Sequence, residues 1–200
     1  MISLATPRLV LRPWTDADME TFVELCTDPE VMAFIGDGSP RTRAEAEARF
    51  ARLVPSWEAD GFGLLAIEEI DTGAVAGFVG LGVPDFLPEM LPSVEVGWRL
   101  LPSFWGRGLG TEAAAAMVDW AVGQPTIDEV IAIIRIENSR SHRIAAKLGM
   151  DRRRRTIIPG HRVWVDVYGV SAAQWAQHGG AELEFSTDDP RGPASGDARP

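Results

Sequence analysis

A glycine-rich loop between a strand and a helix restricts the fold of this chain more than any other segment. Residues 94–101 alternate apolar and polar side chains, as a half-buried strand does. Glycines stand at 106, 108 and 110, and an alanine-rich helix is predicted over residues 111–122. Glycine lets the backbone approach a ligand closely, and the free amides of a helix N-terminus attract anions. The segment therefore predicts a diphosphate site, to which Arg107 would add a positive charge.

Taken alone, the loop also allows two other interpretations. It can be a glycine-rich connection without a ligand. It can also be a dinucleotide fingerprint, since Gly108, Gly110 and Ala113 satisfy the pattern G-x-G-x-x-A. The preceding strand argues against the fingerprint, because it alternates instead of being continuously apolar.

The remaining periodicity predicts an α/β fold with a mixed sheet. Two strand-like runs, residues 62–69 and 74–83, are joined by a hairpin signal that ends at Gly73. Residues 41–60 have helical spacing, and we expect Pro55 to kink or end that helix. The other predicted elements are strands at 7–11, 129–136, 152–158 and 162–170 and helices at 17–27 and 138–148. This order mixes hairpins with helical crossovers, so the sheet should not be purely parallel.

Composition limits the domain count and the partners. At 200 residues and 46% hydrophobic, the chain suffices for one domain, predicted over residues 1–185, with a disordered tail over 186–200. A net charge of −10 argues against nucleic-acid and anionic-membrane partners. The single cysteine, Cys26, predicts a buried thiol and a cytoplasmic location. No apolar run has the length of a signal peptide or a membrane span. The three histidines lack metal-ligand spacing, so no metal is expected.

Three motifs, in order along the chain, resemble one protein family. Residues 94–113 read EVGWRLLPSFWGRGLGTEAA, in which Gly108 and Gly110 match the small positions of an acyl-CoA loop with the pattern Q/R-x-x-G-x-G/A. Trp105 stands where that pattern has Gln or Arg. Residues 6–14 read TPRLVLRPW, and residues 138–150 contain N-x-x-S and K-L-G-M, with Met150 in place of the usual Phe. Together they resemble the GNAT N-acetyltransferases, in particular their ribosomal-protein-alanine-acetyltransferase-like (RimJ/RimL-type) branch, over residues 6–175.

The resemblance implies a fold, a reaction and a co-substrate site. The fold would be a mixed, mostly antiparallel central sheet flanked by helices. The reaction would move the acetyl group of acetyl-CoA to a primary amine, on a protein N-terminus or a small molecule, by direct attack in a ternary complex. The strand would splay from its neighbour at residues 98–101 and pair with pantetheine. The residues expected to bind acetyl-CoA are Trp98, Leu100, Leu101, Arg107, Gly108, Leu109, Gly110, Thr111 and Asn138. For Asn138, a simple helix N-cap is the other interpretation, and both roles can hold together.

A general base is the first catalytic requirement, because an alkyl amine is mostly protonated at neutral pH. Glu95 is the preferred candidate, since it points away from Val94 and Val96 on the strand that leads to the loop. An ordinary solvent-facing glutamate is almost as good an interpretation. Asp166, inside an apolar strand, is the second candidate, either facing a cleft or buried and paired.

The departing thiolate is the second requirement. Many members of the family use a tyrosine shortly after the Asn, but the single tyrosine here, Tyr168, lies elsewhere. Ser141 matches the serine of the branch and is expected to donate a hydrogen bond to sulfur, with a surface hydroxyl as the alternative. His142 is expected to face solvent. The missing tyrosine keeps a different function open, that of a catalytically degenerate acyl-CoA-binding regulatory module. The acceptor amine is not specified by the sequence, and a homodimer is left open.

Overall fold

The computed structural model describes residues 2–160 and 162–177. An eight-stranded sheet forms the centre of this part of the chain. The predicted tail, residues 186–200, and the last residues of the predicted domain lie outside that part. The strands are β1 (Leu4–Ala5), β2 (Leu9–Arg12), β3 (Leu64–Glu69), β4 (Val75–Gly82), β5 (Val94–Leu100), β6 (Glu129–Arg135), β7 (Asp151–Ile158) and β8 (Val163–Ser171). Their order is β1-β2-β3-β4-β5-β6-β8-β7.

Only the β5–β6 pair is parallel in this sheet. The mixed, mostly antiparallel sheet that the family resemblance implied is therefore confirmed. A dinucleotide-binding fold is excluded as an interpretation of the glycine loop, because such a fold is built on a mostly parallel sheet.

Helices cover both faces of the sheet. They are α1 (Met19–Thr27), α2 (Pro29–Met32), α3 (Arg43–Phe50), α4 (Leu53–Asp60), α5 (Leu109–Val122), α6 (Ser139–Lys147) and α7 (Ala172–Gln177). The face that carries α5 and α6 holds the larger core, in which the helix alanines pack on Val94, Val96 and Leu100. The opposite face packs against α1 and α3 through an aromatic cluster around Phe22 and Phe78. Within the described residues, no helix is both long and apolar enough to cross a bilayer.

The segment predicted as one helix over residues 41–60 is divided differently from the expectation. α3 ends at Phe50, and α4 begins at Leu53, so the break precedes Pro55. Pro55 occupies the first turn of α4, where its missing N–H has no intrahelical acceptor to lose. The proline therefore belongs to the start of a second helix and does not end the first.

A buried carboxylate ties the N-terminal segment to the start of α5. Glu112, in the first turn of α5, accepts hydrogen bonds from the hydroxyl of Thr6 (2.6 Å), the backbone N–H of Arg8 (3.0 Å) and the Arg8 Nε (2.7 Å). Arg8 Nη1 also donates to the carbonyl of Arg107 at 3.0 Å. This network holds the glycine loop against β2.

Glu112→Gln should lower the free energy of unfolding by about 2 kcal/mol, because hydrogen bonds to a charged group contribute about 1.5–3 kcal/mol. For a chain of this size the melting temperature should fall by roughly 4–8 °C. Thermal unfolding followed by circular dichroism measures the change. Glu58→Gln, at an exposed position of α4, is the matched control and should leave the melting temperature unchanged. Equal melting temperatures for both variants would show that the network does not stabilise the fold.

Candidate functional site

The parallel strands β5 and β6 separate soon after they meet. Their ladder contains Val94 opposite Val130 and Glu95 opposite Ile131, and it ends there. Both strands continue, to Leu100 and Arg135, without pairing to each other. Alternate backbone groups of each strand therefore face the gap with no partner from the other strand. The structure shows the divergence that the family resemblance led us to expect.

A cleft of about 340 Å³ opens at this gap. It runs from the α5–α6 side of the sheet to the side covered by α2, because its lining includes residues from both. Eight of the expected site residues line it, namely Trp98, Leu100, Gly108, Leu109, Gly110, Thr111, Asn138 and Ser141. Glu95, Leu101 and Arg107 are not among its lining residues.

The N-terminus of α5 forms one end of the cleft. Gly108 is the N-cap residue, with φ +84°, and no side chain caps the helix. A positive φ of this kind favours glycine, so the loop needs Gly108 for its conformation. Gly110 packs closely, since a Cβ there would lie 3.3 Å from the side chains of Ile144 and Leu100. The uncapped amides and the helix dipole fit an anion such as a diphosphate.

Basic side chains from α6 border the same end of the cleft. Arg140 stacks on the ring of Trp105 at 4.2 Å, and Arg143 and Lys147 also line the cleft. Trp105 is fixed in turn, because its Nε1 donates to the carbonyl of Leu100 at 2.8 Å. The aromatic residue that replaces Gln or Arg in the motif thus carries a guanidinium from another element. These cations were not among the expected site residues, although their spacing of three and four residues places them on one helix face.

Two expected co-substrate contacts are already used by the fold. The guanidinium of Arg107 pairs with Glu69 and lies over the ring of Phe104 at 5.6 Å, so it does not reach the cleft. The expectation that it adds charge at the diphosphate stays a prediction, and the ion pair with Glu69 argues against it. The N–H of Leu101 donates to Ala76 at 2.9 Å, and its side chain is buried. That amide cannot pair with pantetheine.

Asn138 and Ser141 lie at the start of α6. The Oδ1 of Asn138 accepts a hydrogen bond from the N–H of Ser141 at 3.2 Å, which is the geometry of an N-cap. The N-cap interpretation of Asn138 is therefore confirmed. Ser141 is half-buried on the cleft side of the helix.

Glu95 lies at the last rung of the β5–β6 ladder, where the gap begins. Its side chain is half-buried, so it is not an ordinary solvent-facing glutamate. Burial raises the pKa of Glu95 to about 7. A hydrogen bond from the N–H of Ile133 to the carboxylate lowers the pKa and offsets part of this rise. Ile133 lies two residues beyond the last paired position of β6, so the carboxylate reaches the opening between the strands. A carboxyl group with a pKa near 7 is suited to accept and release protons at neutral pH.

Asp166 lies on the opposite face of the sheet and is paired. Arg155 donates to it through Nε at 2.7 Å and Nη2 at 2.9 Å. These hydrogen bonds hold the pKa of Asp166 below its ordinary value. The structure thus agrees with the buried and paired alternative, and a carboxylate with a lowered pKa makes a weak base.

His142 does not face solvent as expected. It is half-buried, and its Nδ1 lies 3.0 Å from the hydroxyl of Tyr168. Cys26 is buried as expected, and desolvation raises the pKa of its thiol. In residues 2–160 and 162–177, no group of three His, Cys, Asp or Glu side chains is placed to hold a metal ion.

Comparison with known proteins identifies a family model and structures to which the chain is similar. The model of the acetyltransferase (GNAT) domain matches residues 8–151. YnaD, an uncharacterized N-acetyltransferase from Bacillus subtilis, is 27% identical over 168 residues, which cover 82% of this chain and 93% of that protein. An acetyltransferase structure from Agrobacterium tumefaciens has a TM-score of 0.72 at 26% identity, covering 85% of this chain and 94% of the other. The spermidine N-acetyltransferase of Vibrio cholerae, in complex with CoA and spermine, has a TM-score of 0.69 at 14% identity, covering 84% and 98%.

Proposed function

The chain belongs to the GNAT family of acetyltransferases and carries out acetyl-CoA-dependent N-acetylation of an amine, and we propose that both substrates bind in the cleft between β5 and β6. The observation that carries this proposal is the end of the ladder at Glu95 and Ile131, beyond which unpaired backbone lines a cleft. We also propose that the chain belongs to the RimJ/RimL-type branch, which the motifs of residues 6–14, 94–113 and 138–150 support. A cytoplasmic location is also proposed, on the basis of the single reduced cysteine.

The diphosphate of acetyl-CoA would bind at the N-terminus of α5. The amides from Arg107 to Thr111 would donate to it, and Gly108 would allow the close approach. Arg140, Arg143 and Lys147 would neutralise its charge from α6. This end of the cleft is basic although the chain as a whole has a net charge of −10.

The pantetheine arm would lie in the gap between the strands. Trp98 and Leu100 line the cleft, and the pairing of β5 with β4 leaves their backbone groups on the side of the gap. Asn138 would contribute beside its capping role, since it lines the same cleft. An extended amide chain placed there would take hydrogen bonds that β5 and β6 do not make to each other.

Acetyl transfer would proceed by direct attack. The neutral amine nitrogen bonds to the thioester carbonyl carbon, the C–S bond breaks, and the amine loses one proton. Glu95 would accept that proton directly or through one water, because its carboxylate lies where the gap begins. Cys26 is buried with a raised thiol pKa, so it does not offer a nucleophile for a covalent acyl-enzyme.

Ser141 would stabilise the departing thiolate by donating its hydroxyl hydrogen. Ser141→Ala should then lower kcat by roughly 10-fold, the value of one hydrogen bond to a charged group, while the dissociation constant of acetyl-CoA changes less. Steady-state kinetics and calorimetric titration measure the two quantities. Ser139→Ala, at an exposed position of the same helix, is the control. If Ser141→Ala turns over like the Ser139→Ala control, Ser141 is only a surface hydroxyl.

A panel of amines with thiol-release detection tests the proposed function. The panel contains amino acids, peptides with free N-termini, polyamines and aminoglycosides. At least one class should release CoA thiol at a rate well above hydrolysis without amine. Thiol release that no amine accelerates, in a protein that binds acetyl-CoA, would favour the catalytically degenerate module.

A further inference from the structure

Arg99 lies in the cleft with no anionic partner. Its Nη1 contacts the sulfur of Met32 at 3.3 Å and that of Cys26 at 4.0 Å, and its guanidinium lies over the ring of Phe78 at 5.0 Å. Its Nε is buried and forms no hydrogen bond. Sulfur is a weak acceptor, so these contacts leave most of the donor capacity of the guanidinium unused.

The arginines near Arg99 add positive charge and do not neutralise its guanidinium. Burial lowers the pKa of Arg99 to about 10, and positive charge on Arg49 and Arg41 acts in the same direction. Among the residues that the structure describes, no carboxylate pairs with it. A buried cation without an anion is costly to the folded state. The arrangement is therefore one that a ligand anion would complete.

Arg99 and Glu95 flank a position of β5 that has no side chain. Both side chains leave the same face of β5, with Gly97 between them, because side chains alternate along a strand. A Cβ on Gly97 would meet no atom within 4 Å, and the same holds for Gly82, opposite Glu95 on β4. Four residues of strand separate Glu95 and Arg99 by about 13 Å between Cα atoms. A small molecule could therefore lie over Gly97 with one end at each charged group.

Arg99 also faces the side of the sheet away from the diphosphate end. It alternates with Leu100, which packs against the start of α5, so Arg99 points to the side of α1 and α2. There the cleft is lined by Val31, Phe34 and Ile35. The proposed site leaves this side for the acceptor, since the diphosphate is proposed to bind on the other side.

We propose that the acceptor amine carries a carboxylate that binds Arg99, so that the substrates are amino acids or related small amino-carboxylates. This inference rests on the proposed function. The planar guanidinium matches a carboxylate with two parallel hydrogen bonds. Such an acceptor places its anion at Arg99 and its amine toward Glu95. Polyamines lack the anion, and a protein N-terminus has its α-carboxyl group in a peptide bond.

The test compares amino acids with their carboxamides as acceptors. The panel includes α-amino acids and amino acids whose amine lies further along the chain. Wild-type protein and Arg99→Met are assayed for kcat/KM by thiol release. The amine of the carboxamide is less basic than that of the acid, and this difference affects kcat/KM in every variant. The ratio of kcat/KM for the acid to kcat/KM for the amide in Arg99→Met therefore serves as the reference. We expect that ratio to be roughly 10- to 100-fold higher in the wild type for the preferred acceptor. Arg154→Met, at an exposed position of β7, removes the same charge and should keep the wild-type ratio.

The outcomes separate this inference from the proposed function. Equal ratios in wild type and Arg99→Met, with measurable thiol release, would overturn the role of Arg99 and leave acetyl transfer standing. A wild-type preference for polyamines over every amino acid would do the same, and it needs no variant to fold. Thiol release that no amine accelerates would refute the proposed function itself. Partial return of the ratio in Arg99→Lys would support charge recognition, since lysine keeps the charge without the planar fork.

Discussion

Glu95→Gln should lower kcat/KM by roughly 10²- to 10⁴-fold, the range for loss of a general base. The pKa of Glu95 is about 7, so the carboxyl group is protonated and inactive below that pH. In the wild type the pH profile should therefore contain an ionisation near 7 in addition to that of the amine. In Glu95→Gln only the ionisation of the amine should remain. The residual rate should rise with pH as the amine loses its proton.

The kinetic prediction has matched controls. Glu58→Gln removes an exposed carboxylate from α4 and should leave the profile unchanged. Asp166→Asn tests the rival base, although it also breaks the pair with Arg155 and should lower stability. A full rate and an unshifted profile for Glu95→Gln would end the assignment. If Asp166→Asn alone abolished activity without unfolding the protein, the base would be Asp166.

The raised pKa of Glu95 also predicts a stability effect. Because the folded-state pKa is about 7 against an ordinary 4.5, folding favours the protonated form, and that stabilisation is lost as pH rises through 7. The full difference corresponds to about 3 kcal/mol. Glu95→Gln should therefore be more stable than the wild type at pH 8 and differ less at pH 5. Denaturant unfolding at both pH values measures this independently of catalysis, and no pH dependence of the difference would mean that Glu95 is not desolvated.

Gly108→Val should weaken acetyl-CoA binding by roughly 10²-fold, because the side chain moves amides away from the diphosphate, and each lost bond to a charged group is worth about 1.5–3 kcal/mol. Valine at φ +84° also strains the backbone by about 1–3 kcal/mol, so the melting temperature should fall. Isothermal titration with acetyl-CoA measures the affinity at a temperature where the variant is folded.

Gly73→Val separates backbone strain from ligand binding. Gly73 has φ +68° in the β3–β4 turn, and a Cβ there would meet no atom within 4 Å. This variant should lose similar stability and keep its affinity for acetyl-CoA. Equal affinities for Gly108→Val and Gly73→Val would place the diphosphate elsewhere.

Local patterns were enough to predict most elements of the sheet, whereas the divergence of its central strands was expected only from the family resemblance. Alternation identified β5, and a short apolar run identified β6 on the other side of the gap. Gly73 marked a hairpin, and the glycine loop marked the start of a helix, predicted at Thr111 and observed at Leu109. The break before Leu53 was missed because no local residue marks it, and Pro55 pointed to a later position. The role of a proline depends on which turn of a helix it occupies.

The site residues whose contacts differ from the expectation, or that were missed, depend on tertiary contacts. The side chain of Arg107 is held by Glu69, and the amide of Leu101 is held by Ala76, both from other strands. Sequence position alone could not show these partners. Arg99 was missed for the same reason, since its lack of an anion is visible only once its neighbours are known.

Direct transfer in the cleft between β5 and β6 is the central claim, and a labelled acetyl group tests it most directly. The protein is mixed with acetyl-CoA labelled in the acetyl group, first alone and then with an acceptor from the panel. If transfer is direct, no label should remain on the denatured protein in the first case. In the second case, label should appear on the amine together with an equal amount of free thiol. Direct transfer would be contradicted if the protein carried a stable label before the amine was added and passed that label on to the amine afterwards.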